Sequence, residues 1–295
     1  MSRRRFDPLT VFGVPMVGGG LILPNLQTPW YVNKEWTGQF GKGREMDKPL
    51  ATITAAVAAA AAGDIIFIAP GEYDEDVVIN KSRLTLIGCG PRHSVRVTGT
   101  AAGTATALTI SAASDIGLYN LNLEGRSGGA GLSITGQVRR VEVRHCKIHG
   151  GDDACLLDQG AGQIVDVRIE DCVIGNAADG LVIGTTGGGD PNAQIVVRNC
   201  LFSKCTADCI KTVGFMNDLV VDGCTFTAAS GTEPTQFLDV DDVGTTGIIT
   251  NCRFHTTVFS TAKFGIATDV FFAQNYTEAE GSSSTATGTA SGRPN

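Results

Sequence analysis

The chain has 295 residues, 38 of them glycine, with 42% hydrophobic residues, 18% charged residues and a formal net charge of −7. That balance excludes a disordered polymer and argues against nucleic acid as a partner, because phosphate binding requires clustered basic side chains. No apolar run approaches the roughly 18 residues that cross a bilayer, so no membrane partner is expected. Nine cysteines form an odd set without metal-type spacing. Reduced thiols are therefore expected in place of a disulfide framework, with no metal and no cofactor.

Residues 1–46 lack periodicity and carry Pro8, Pro15, Pro24 and Pro29 together with Trp30, Tyr31 and Trp36. They read as an N-terminal anchoring arm. Trp30 and Trp36 are too apolar to leave in water, and they cover either the protein's own first coil or a neighbouring subunit. Arg3, Arg4 and Arg5 form the one basic run, either a solvated end or an arm that docks on an acidic partner surface. Pro15, Gly18, Gly19, Gly20 and Pro24 break the apolar stretch over 11–26, so no signal peptide is expected.

From Lys48 the pattern changes. Pro49 suits a first helical turn, Leu50, Ile53 and Val57 share a face, and an alanine-rich run leads to Gly63 as a stop. This predicts a short helix over 49–62 that covers the open end of a solenoid core. Ile65 to Ile68 and Val77 to Ile79 then read as strands separated by Pro70 and Gly71.

The central signal is a pattern, apolar-x-apolar-x-x-Cys-x-apolar, that recurs around Cys146, Cys172, Cys200 and Cys224 at steps of 26, 28 and 24 residues. A fixed period of this length marks a repeat architecture, and the alternation marks strands. The same frame extends to Cys89, Leu121, Cys252 and Asn275, which gives about eight coils. A second series of strands follows each key position, as in Gly131 to Ile134, Ala154 to Leu157, Gly180 to Ile183 and Asp208 to Lys211. The fold class predicted is all-β, a right-handed parallel β-helix over 47–278 with three short strands per coil, followed by a flexible tail over 279–295. It resembles the pectin-lyase-like superfamily. Cys146, Cys172, Cys200, Cys224 and Cys252 are expected to stack inside as small buried groups.

Gly151-Asp152-Asp153-Ala154-Cys155 resembles the Asp-Asp motif of polygalacturonase-type glycoside hydrolases, which cleave acidic polysaccharides by inversion. Asp179 lies where that family has histidine, Cys209 where it has arginine, and Lys211 where it has lysine. The family's upstream acid falls near Gly129, Ala130 and Gly131, where there is no carboxylate. On this resemblance Asp152, Asp153, Asp179 and Lys211 are the candidate catalytic residues. The competing explanation is that Asp153, Asp179 and Asp208 recur because a turn after each key strand favours aspartate. Two further clusters read as surface features: His145 with His149, and Asp239 with Asp241 and Asp242, the latter a possible Ca²⁺ site.

Two functions follow. The missing arginine and upstream acid, the arm and the Ser/Thr-rich tail resemble phage virion β-helix proteins. That implies a structural component of a phage-like particle, a capsid decoration or tail spike, assembled in the host cytoplasm as a homotrimer. Such a protein would attach to other virion proteins through Arg3, Arg4, Arg5, Trp30 and Trp36, and could bind carbohydrate. The alternative is a polysaccharide-degrading hydrolase or lyase that uses the aspartates above.

Overall fold

The computed structural model describes residues 10–11, 14–15, 29–100, 105–126, 128–184, 192–214, 216–228, 233–256, 263–279 and 282–286. Arg3, Arg4 and Arg5 lie outside the described residues. The chain winds as a right-handed parallel β-helix of three sheets. The first sheet runs from Trp30–Val32 at one end to Val270–Ala273 at the other. The second begins at Gly71–Asp74, and the third runs from Val77–Ile79 to Phe264–Ile266.

Registers between coils are continuous, so like residues stack. In the first sheet Leu118, Val143, Ile169, Val197, Val221 and Ile249 form one inward row. In the second, Ile148 and Ile174 lead into Phe202, Phe226 and Phe254. These rings are stacked, with centroids 4.8 and 4.7 Å apart. One continuous apolar core results, which offsets the entropy of ordering so long a chain.

The cysteine ladder forms as the repeat predicts. Cys146, Cys172, Cys200, Cys224 and Cys252 are all buried. Each thiol lies 3.4–3.8 Å from a carbonyl of the preceding coil, from Leu118 for Cys146 to Val221 for Cys252. The residue just before the key position turns the corner with a left-handed backbone at Asn120, His145, Asp171, Asn199, Gly223, Asn251 and Gln274. Asn, Asp and Gly tolerate that region best.

Three boundaries differ from expectation. The helix spans only Ile53–Ala59. Pro49 and Leu50 stay extended because Leu50 hydrogen-bonds Tyr31 and bridges Val32. Thr52 caps the N-terminus, where the Glu75 carboxylate also accepts from Ile53 N and Thr54 N at 3.0 and 2.8 Å. Lys81 donates to the carbonyls of Val57, Ala58 and Ala60, so the first coil itself ends the helix.

The second boundary is the arm. Trp30–Val32 pairs in parallel with Ile65–Ile68 and so belongs to the β-helix. Trp30 packs on its own first coil: its Nε1 donates to Asp64 Oδ2 at 2.7 Å and the Arg44 guanidinium lies 3.9 Å from the ring. Trp36 is half-buried, and its Nε1 has no acceptor. The third is the tail, where Ser282–Ala286 forms an antiparallel strand on Asn275–Ala279. The open edge of the second sheet offers unpaired backbone groups, and residues expected to form a flexible tail satisfy them.

Candidate functional site

Asp153, Asp179 and Asp208 each open a strand of the third sheet, Asp153–Asp158, Asp179–Ile183 and Asp208–Thr212. Asp153 stands in register with Asp179. The pairing of Leu181 with Ile210 puts Asp208 on the next rung, and Gln236 continues the row. Neighbouring strands lie about 4.8 Å apart, so the first and third carboxylates sit on backbone positions roughly 10 Å apart. The row begins at Asp153, because the pairing of Leu132 with Cys155 places Ala130 on the rung before it. Gly180 makes this close stacking possible, since a Cβ there would lie 2.4 Å from the Cys209 carbonyl oxygen.

A parallel row on the same strands contains Leu156, Val182, Lys211 and Asp239. Lys211 Nζ lies 3.2 Å from Asp208 Oδ2 and 3.8 Å from Asp239 Oδ2. Asp179 Oδ1 accepts from the Asp208 backbone N–H at 2.8 Å. Asp208 is 5% exposed, and its Oδ1 has no hydrogen-bond partner.

Burial, together with the charges of Asp179 and Asp152, pushes the Asp153 carboxyl up to about 6, against the opposing effect of Lys211. Asp179 is raised as well, mainly by burial, although the Asp208 N–H favours its ionised form. Burial likewise raises Asp239, with Asp208 and Asp241 adding to it. Burial works against the charge on Lys211, but its hydrogen bond to Asp208 and the surrounding carboxylates outweigh this and raise its pKa. The row thus holds a carboxyl that keeps its proton up to about pH 6 beside a carboxylate that accepts a hydrogen bond.

The structure therefore gathers Asp153, Asp179 and Lys211 on one face, while Asp152 is exposed in the preceding turn and contributes its carbonyl to Asp179 N at 3.0 Å. Cys209 points into the core and is fully buried. Asp208 and Asp239 join the site through Lys211, a grouping missed in the sequence. Lys211 and Asp239 are 28 residues apart, whereas the key cysteines of their coils, Cys200 and Cys224, are 24 apart, so the repeat step does not pair them.

His145 and His149 do not share a face. His145 occupies the left-handed turn and lies 3.3 Å from Arg92, whereas His149 is buried and bonds Asn122 Oδ1 at 2.8 Å. The expectation of two surface histidines fails because the corner at Cys146 separates them. Asp242 accepts from Thr212 Oγ1 at 3.3 Å and Asp239 faces Lys211. Among the described residues no group of three or more His, Cys, Asp or Glu is placed to hold a metal ion.

A family model described as a right handed beta helix region matches residues 77–231 and 130–291. A second, described as a protein of unknown function (DUF1565), matches residues 37–80. No curated protein matches the chain. Among solved structures, the pectin methylesterase from Aspergillus niger is similar at 17% identity and a TM-score of 0.56, over 88% of this chain and 87% of that one. A rhamnogalacturonan lyase is similar at 12% identity and a TM-score of 0.57, over 78% and 68%. The alginate lyase from Paenibacillus sp. str. FPU-7 is similar at 13% identity and a TM-score of 0.53, over 76% and 92%. At such identities the likeness establishes the pectin-lyase-like fold.

Proposed function

The chain belongs to the right handed beta helix family, and from that premise we propose that it cleaves polysaccharide at the row formed by Asp153, Asp179 and Asp208. The observation that carries this reading is the pairing of Asp153 with Asp179 on adjacent strands, with the Asp153 carboxyl raised to about 6. A carboxyl that holds its proton up to about pH 6 can deliver it to a leaving oxygen. A second carboxylate one rung away can bond to the anomeric carbon as that oxygen departs, and water then releases it. Glycoside hydrolysis uses carboxyl separations of about 5–5.5 Å or about 6.5–9.5 Å, and one or two rungs of this row bracket those distances.

The solved structures named above support a polysaccharide-acting reading, since they are a pectin methylesterase, a rhamnogalacturonan lyase and an alginate lyase. A phage-like particle component, the other expectation from sequence, has no comparable support. The neighbours named are enzymes, and Trp30, expected as an attachment residue, packs on its own coil. The buried Cys209 departs from the polygalacturonase pattern by leaving the arginine position without a charge.

The test is incubation of the full chain with a broad panel of polysaccharides, reading new reducing ends. Cleavage that disappears in Asp153→Asn and Asp179→Asn supports the proposal. Cleavage that persists in both variants, or none on any polymer, overturns it.

A further inference from the structure

The charges around the row select among polysaccharides. Asp153, Asp179, Asp208 and Asp239 supply four carboxylates. Lys211 is the cation acting on Asp153, Asp179 and Asp239. It is already engaged by Asp208 and Asp239. The position at which a polygalacturonase-like site would carry arginine is Cys209, which is buried and offers no charge to the outer face. A uronic-acid polymer, with one negative charge per sugar, would meet like charge here, and Lys211 is already paired.

The unpaired acceptor points to a hydroxyl-bearing ligand. Asp208 is 5% exposed, its Oδ2 faces Lys211 and its Oδ1 accepts no hydrogen bond. A buried acceptor calls for a donor. A sugar hydroxyl can donate. Beside the acids, the half-buried Leu156 offers an apolar contact to the C–H face of a sugar ring.

We infer that the site takes a neutral, hydroxyl-rich polysaccharide and not a uronic-acid polymer, an inference that rests on the reading of the row as a polysaccharide-cleaving site. The reaction is then hydrolysis, because elimination requires a carboxyl group beside the carbon that loses its proton. The bond between the anomeric carbon and the bridging oxygen breaks. The bridging oxygen takes the proton of Asp153 while the carboxylate of Asp179, one rung away, bonds to the anomeric carbon; water then displaces Asp179 from that carbon and gives its proton to Asp153.

The experiment compares a β-galactan, a β-glucan and a mannan with polygalacturonate and alginate, with and without added Ca²⁺, by affinity electrophoresis and by reducing-end and unsaturated-end assays. The expected result is binding and hydrolysis of a neutral chain, with the polyuronates bound about tenfold more weakly or worse at low salt. Asp239→Asn, which releases one side of Lys211, narrows that gap severalfold. Polyuronate bound or cleaved as well as the neutral chains in either condition, or the appearance of unsaturated ends, overturns the inference while leaving the polysaccharide reading intact. Failure to bind or cleave any polymer overturns that reading itself.

Discussion

Asp153 and Asp179 stand opposite one another on adjacent parallel strands, and burial, reinforced by the charge of Asp179, holds the Asp153 carboxyl at about 6. Neither residue packs into the core, so their substitution separates chemistry from folding. Asp153→Asn and Asp179→Asn each lower polysaccharide cleavage by about a hundredfold or more, the usual contribution of a positioned acid or base. Circular dichroism stays close to that of the parent. Initial rates of reducing-end release on matched, folded samples check this.

The same pair makes stability depend on pH. The Asp153 carboxyl has a reference value of 3.8 and is raised to about 6 in the folded protein. Between those values the folded chain binds more protons than the unfolded one, so stability falls as pH climbs through the window. Asp153→Asn removes that loss. The variant should exceed the parent by about 1 kcal/mol above neutral pH, a figure reduced for the partial exposure of the group. The gap should close below the reference value. Urea unfolding at one pH above and one below the window measures it.

The coils were legible because one side-chain position per coil is buried in a stack, and burial leaves a periodic trace. Leu121 and Asn275 stand where other coils have cysteine, so that position selects for fit within the core. Asn275 bonds Cys252 N at 2.9 Å and the Ile249 carbonyl at 3.0 Å. A second trace lay beside it unread: Asn120, His145, Asp171, Asn199, Gly223 and Asn251 precede the key position because the corner there is left-handed. The site was only half legible. Asp153 and Asp179 follow their cysteines at equal distance, whereas the link from Lys211 to Asp239 depends on register between coils, which local pattern does not fix. The length of the helix depends on Glu75 and Lys81, both outside it.

The aromatic stack predicts where stability concentrates. Phe226 lies between Phe202 and Phe254 at 4.8 and 4.7 Å. Phe226→Ala should cost about 3–5 kcal/mol. Cys200→Ser, whose hydroxyl can donate to one of the two carbonyls the thiol faces, Ile169 or Arg198, should cost about 1 kcal/mol. Urea denaturation followed by circular dichroism compares the two.

The first coil depends on one carboxylate. Asp64 is 1% exposed and accepts from Trp30 Nε1 at 2.7 Å, Arg44 Nη2 at 3.1 Å and Ala61 N at 2.9 Å. Asp64→Ala leaves a partly buried guanidinium and a buried indole N–H without their acceptor and should cost about 3–5 kcal/mol. A red shift of the tryptophan emission before global unfolding identifies the loss at this end of the solenoid.

The pairing of Asp153 with Asp179 is tested most directly by the pH dependence of reducing-end release, followed in parallel for the parent and for Asp153→Asn. The parent should cleave, with a rate that falls as pH rises through about 6, the value to which burial and Asp179 bring the acid. The variant should lose both the rate and that limb of the profile. A variant that cleaves as fast as the parent, or a parent profile with no limb near that value, would contradict the account.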